Sequence, residues 1–188
     1  MLSYLEDVSV HVRAMGFNEM ARFRSIEEFM LFNGGVFDRV SDEDLSDIKG
    51  VPHECFKNSA LVVLSRLDLI YCEGYTSVGG FPLQHAWVTN DRGDLLEVTY
   101  DHPHDRYIGI AVTSSFLKSR LKRTKYFGLF TNIPTFDLEI INADPVSWQH
   151  PVMSKLVRFD VGQFQSRVES IKRLLEERKI VEATQIGT

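Results

Sequence analysis

Three residues of this chain have the types and spacing that nucleophilic catalysis needs: Cys55, His85 and Glu97. Cys55 follows Gly50-Val51-Pro52 and opens a stretch with helical spacing. At a helix start the unpaired backbone N–H groups and the helix dipole favour a thiolate over a thiol. His85 opens a segment of alternating character, and Glu97 lies on the segment that returns from Asn90-Asp91-Arg92-Gly93, which carries strong turn chemistry. An odd number of residues in that hairpin loop puts His85 opposite Glu97 or Thr99 on one face; an even number breaks the register. Glu97 can then accept from one imidazole nitrogen and leave the other to face a thiol. Trp87, two positions after His85, shares that face and shields the pair from water. A nucleophile, a base and an orienting acid are the set that acyl transfer requires. The thiolate attacks a carbonyl, the imidazolium protonates the leaving amine, and N–H groups at the helix start hold the oxyanion.

Further candidates surround this set. Asn58, three residues after Cys55 on the same helix face, is a polar donor that could line a substrate site. Gly79 and Gly80, in a glycine-bearing loop before His85, are a candidate lid or substrate edge, and Trp87 is a third candidate for substrate contact. Asp101 is the second choice for the acid, and Glu73, a strand glutamate, needs a partner if buried. Gln84 points away from His85 in a regular strand, and Cys72 reads as a buried thiol. Asp101-His102-Pro103-His104-Asp105 offers a weaker alternative, a metal-dependent enzyme using His102 and His104. Pro103 places that stretch in a loop and no second ligand pair accompanies it, so no metal and no cofactor is expected. No glycine-rich phosphate loop or dinucleotide fingerprint occurs.

The elements that must position these residues follow from periodicity. Residues 1–33 have helical spacing, interrupted at Gly16 and ended by Gly34-Gly35. Residues 38–50 are acidic and loop-like. Residues 53–69 are helical, with Ala60, Val63, Leu64 and Leu67 as the core stripe. The period then becomes two: strands are expected at 70–75, 85–90, 95–100, 107–112 and 125–130, with a short helix at 114–122. An amphipathic helix over about 163–183 closes the chain. Helices followed by a meander of strands predict an α+β fold with an antiparallel sheet. We expect one domain over 1–188: a helical and acidic extension (1–49), a catalytic core (50–131) and a C-terminal extension (132–188).

Glu54-Cys55-Phe56-Lys57-Asn58-Ser59-Ala60, Glu73-Gly74-Tyr75, Pro82-Leu83-Gln84-His85-Ala86-Trp87 and Glu97-Val98-Thr99 together resemble the papain-like and transglutaminase-like cysteine hydrolase superfamily. The nearest likeness is to uncharacterised phage and bacterial members with a Cys…HAW…[DE]xT pattern, and it spans about residues 50–130. The resemblance implies a catalytic helix packed on an antiparallel sheet, with Cys55 as nucleophile, His85 as base and Glu97 as acid. Many relatives have Asp followed by Pro-Thr where this chain has Glu97-Val98-Thr99. The resemblance is nearly silent on substrate.

Composition sets the outer limits. With 188 residues, 44% of them hydrophobic and 25% charged, the chain has the make-up of a globular domain rather than a disordered or fibrous one. A net charge of -5 argues against general affinity for nucleic acid, and the basic cluster at 118–125 reads as a solvated helix face. No apolar run approaches the ~18 residues of a membrane span. Met1 to Val12 carries Glu6 and Asp7 and lacks a secretory pattern, so a cytoplasmic protein is expected (host cytoplasm if phage-encoded). Two cysteines are too few for a disulfide scaffold. The leading expectation is thus a cysteine-dependent amide hydrolase or acyl transferase acting on a protein, peptide or small amide. It would be a peptidase, deamidase, amidase or transglutaminase. The alternative is a non-catalytic binding or inhibitor protein that retains the fold, using the basic helix and the C-terminal helix as surfaces.

Overall fold

Ile70-Tyr71-Cys72-Glu73-Gly74-Tyr75-Thr76 is buried on both faces, and such a run can only be an inner strand. The computed structural model describes residues 1–38, 40–41, 48–101, 103–104, 106–130 and 144–186, with side chains to 179. In chain order its elements are α1 (Leu2–Ala14), α2 (Ile26–Asn33), β1 (Gly35–Phe37), α3 (Cys55–Ser65), β2 (Ile70–Val78), β3 (Phe81–Thr89), β4 (Leu95–Leu96), β5 (Tyr107–Val112), α4 (Ser114–Thr124) and α5 (Phe164–Ile186). Two short 3₁₀ turns, Pro145–Ser147 and Pro151–Lys155, precede α5. The strands form one antiparallel sheet in the order β1-β5-β2-β3-β4. The expected α+β arrangement with an antiparallel sheet is the one observed.

Alternation gives the sheet two different faces. Tyr71, Tyr75, Ala86, Val88, Ile108, Ile110 and Val112 point to one side, where they pack with Leu5, Phe29, Ala60, Val63 and Leu117 from the helices. Phe37, Cys72, Trp87, Tyr107 and Ala111 point to the other, and Leu95, Val152 and Met153 cover them. A third small cluster joins α5 to the N-terminal helices through Val10, Leu31, Phe164 and Val168. Gly109 belongs to the second face for a steric reason: a Cβ there would come within 2.5 Å of the Trp87 indole and 2.4 Å of the Glu73 carbonyl.

Several expected elements differ. The 77–80 loop is instead a two-residue turn, because Gly79 and Gly80 both adopt positive φ (56° and 85°) and let β2 and β3 pair out to Val78 and Phe81. The strand expected at 95–100 stops at Leu96. Beyond it the Gly50 N–H takes the Val98 carbonyl, and the Glu97 carboxylate accepts its own chain's Thr99 N–H (2.9 Å). The strand expected at 125–130 is a loop: Lys125 ends α4 in the left-handed conformation, and buried Glu73 captures the Leu129 and Phe130 N–H groups at 2.6 and 2.7 Å. The α3 helix ends at Ser65, which leaves Leu67 outside it and 79% exposed rather than in a core stripe. Most of the acidic 38–50 stretch, and the start of the region after residue 130, lie outside the described residues.

Candidate active site

The register across the second hairpin decides whether His85 and Glu97 can meet. β3 and β4 pair Thr89 with Leu95 and Val88 with Leu96, so the loop is Asn90 to Asp94, an odd number. Asn90 builds that loop, accepting from the Arg92 and Asp94 N–H groups at 3.0 Å. Continued past β4, the register puts Glu97 opposite Trp87 and Thr99 opposite His85, all facing one way. The side chains meet: His85 Nε2 and Glu97 Oε2 are 2.8 Å apart, both buried.

Glu97 is surrounded by donors. Its Oε2 also accepts from the Tyr107 hydroxyl at 2.7 Å, and Oε1 accepts from the Thr99 and Tyr100 N–H groups at 2.9 and 3.3 Å. Burial works against its charge, but the bonds from His85, Tyr107 and Thr99 outweigh burial and hold the carboxyl below its ordinary value. Burial and the neighbouring Glu97 raise the Tyr107 phenol, so its hydroxyl stays protonated and donating.

Cys55 occupies the first position of α3 and is 6% exposed. With Nε2 engaged by Glu97, Nδ1 of His85 is the nitrogen left to serve a thiol. The sulfur stands close enough to act on the ring, although no hydrogen bond of full geometry joins them; such contacts commonly tighten only with substrate bound. Burial alone would lower the His85 pKa. The Cys55 sulfur and the Glu97 carboxylate overcome it and lift the imidazole from 6.5 to about 9.

The N-terminus of α3 differs from those of its neighbours. Ser25 and Thr113 cap α2 and α4 with their hydroxyls. Glu54, at the cap of α3, makes no such bond and instead pairs with Lys57 at 2.6 Å. Among the described residues no side chain takes up the first N–H groups beside Cys55, and such N–H groups are the donors an oxyanion needs. The chain reaches this helix through His53 in the left-handed conformation (φ 68°), a strained position for a residue with a Cβ.

Other candidates have structural roles. Asn58 does not line a substrate site: its amide donates to the Val51 carbonyl (2.7 Å) and Thr99 Oγ1 (3.1 Å) and accepts from the Val51 N–H (3.2 Å). Trp87 is fully buried, stacked beside His85 with 6.2 Å between ring centroids, so it is a floor beneath the imidazole and not a substrate contact. Gly79 and Gly80 sit at the hairpin tip, five residues along β3 and roughly 16 Å from His85. Asp101 is exposed and pairs with Lys49 at 3.2 Å. Glu73 faces the opposite side of the sheet, where Tyr71 donates to it at 2.8 Å. Cys72 is buried in the core beside Trp87, and burial pushes its thiol well up.

Three residues near the imidazole, Tyr107, His104 and Tyr100, have no part in the triad expected from the sequence. Tyr107 joins Glu97 to the loop above by accepting the His104 N–H at 3.0 Å. The His104 ring lies edge-on to His85, 5.7 Å between centroids, and Tyr100 stands 5.5 Å away. His104 thus lies beside the imidazole, while His102 and Asp105 fall outside the described residues. Among the described residues, no three His, Cys, Asp or Glu side chains gather closely enough to hold a metal ion. Nor is any described helix long and apolar enough to cross a membrane. No family model, curated protein or solved structure matches the chain.

Proposed function

We propose that this protein is a cysteine-dependent acyl transferase or amide hydrolase working through Cys55, His85 and Glu97. The observation that carries the reading is the buried His85–Glu97 pair, Nε2 2.8 Å from the carboxylate, with the sulfur of Cys55 at the start of α3 acting on the same ring. The Cys55 sulfur attacks a substrate carbonyl, the oxyanion gathers the free N–H groups of the α3 first turn, and His85 delivers its proton to the departing amine. Water or a second amine then attacks the thioester, with His85 taking the incoming proton. Glu97 holds the ring in the tautomer this needs and stabilises the imidazolium. The order of a helix-borne Cys, a strand-borne His and an acid just past the end of the returning strand supports kinship with the papain-like and transglutaminase-like superfamily.

The test is acylation by p-nitrophenyl acetate, read by intact mass and by release of nitrophenol. Native protein should take one acetyl group on Cys55. Cys55→Ser should take none there, and His85→Ala should be slowed by about a hundredfold or more. Cys55 that stays unmodified until the protein is denatured would contradict the reading and favour a binding protein built on the same fold.

A further inference from the structure

β3 is an inner strand over only part of its length. On one side it pairs with β2 from Phe81 to Thr89; on the other, β4 reaches it only at Val88 and Thr89. In a hairpin closed by a two-residue turn, the residues flanking the turn exchange both their hydrogen bonds. Phe81, Leu83 and His85 therefore bond inward to β2, while Pro82, Gln84 and Ala86 turn their backbone groups outward. Two features agree with this parity. Pro82, which has no N–H, stands where none is needed, and Val88, of the same parity, is where β4 joins.

Among the described residues, no backbone hydrogen bond reaches the outward groups of Pro82 or Gln84. Ala86 is fully buried, so the open edge runs over 81–84 and stops one residue short of His85. On the His85 face of the same stretch, Phe81 and Leu83 are 74% and 48% exposed. Folded proteins usually blunt or cover an edge of this kind. The ligand it fits is an extended backbone, which presents donors and acceptors in register while alternate side chains meet Phe81 and Leu83.

We propose that the substrate is a polypeptide in extended conformation, added as a strand to the 81–84 edge of β3 with apolar side chains at every second position. The proposal rests on the acyl-transfer reading: the strand lies on one side of the scissile amide and its chain runs into the Cys55–His85 pair. Pro82 withholds one donor and keeps the edge short, which limits unselective sheet extension.

Exchange of the Gln84 N–H with water, followed by NMR in labelled Cys55→Ser protein, tests this without turnover. The probe is a pool of octapeptides with Val, Leu or Phe at alternate positions. The control pool has the same composition with the apolar residues in adjacent pairs. The alternating pool should slow Gln84 exchange by about tenfold or more, and the control should not. Leu83→Glu should abolish the effect with the rest of the spectrum unchanged; Phe81→Glu does the same duty if Leu83→Glu disturbs the hairpin. No protection by either pool, or equal protection by both, overturns the proposal. Protection that appears without peptide and grows with protein concentration overturns it too, because the occupant is then a second copy. Acylation of Cys55 without Gln84 protection leaves the catalytic reading standing and removes this one. Protection by the alternating pool without acylation sustains strand addition and removes the catalytic reading.

Discussion

At the scale of the residue, the site is organised around one carboxylate. Glu97 accepts from His85, Tyr107, Thr99 and Tyr100, and a carboxylate so occupied has no freedom to rotate away from the imidazole. Tyr107 bonds the same oxygen that holds His85, which makes it a positioning residue. Tyr107→Phe removes that bond and should cut the acylation rate about five- to tenfold. It should also lower the pH above which activity falls, since a less firmly charged Glu97 supports the imidazolium less. Rates measured across pH in Tyr107→Phe and wild type check both effects. Cys55, His85 and Glu97 were legible in the sequence because residue type, helix start and strand period all bear on them. Tyr107 was not, because it enters from a strand that pairs with β2 rather than with the hairpin. Its signal was weaker: a tyrosine opening an apolar strand has a hydroxyl that must find a partner when buried.

At the scale of the element, the entry to α3 sets where the sulfur stands. Asn58 reaches back one turn to clamp both backbone groups of Val51, and across to Thr99 on the segment that carries Glu97. One side chain thus ties the helix that carries Cys55 to the segment that carries Glu97. Gly50 is glycine because a Cβ there would fall 2.1 Å from the Asn58 side chain. Asn58→Ala leaves the Val51 N–H without its partner, removes one of the two donors to the Val51 carbonyl (the Glu54 N–H remains), and should cost about 1–3 kcal/mol, measured by urea denaturation. Acylation should fall with it while Cys55, His85 and Glu97 remain in place. The sequence carried the order of helices and strands well, since long periodic segments announce themselves. It failed where a side chain overrode a local preference. Glu97 turns its own backbone and cuts β4 short, and Glu73 draws 129–130 out of any strand. Pro82 concealed the length of β3, because a proline is compatible with a strand only when its missing N–H faces an open edge.

At the scale of the whole molecule, the same pair makes stability depend on pH in two directions. His85, lifted from 6.5 to about 9, favours the fold fully below its ordinary value and loses that contribution as pH rises through about 9. Glu97, held below 4.5, contributes above that value and loses it as pH falls through the depressed one. Urea midpoints should therefore be highest between these limits and decline on both sides, and His85→Ala should flatten the alkaline decline. An alkaline limb identical in wild type and His85→Ala would assign it to other groups. The most direct test of the account is an NMR titration of the His85 ring in wild type, Cys55→Ser and Glu97→Gln. The wild-type value should lie near 9 and fall in both variants, where burial acts with one supporting group removed. A wild-type His85 that titrates at or below 6.5, or a value that Cys55→Ser leaves unmoved, would contradict it.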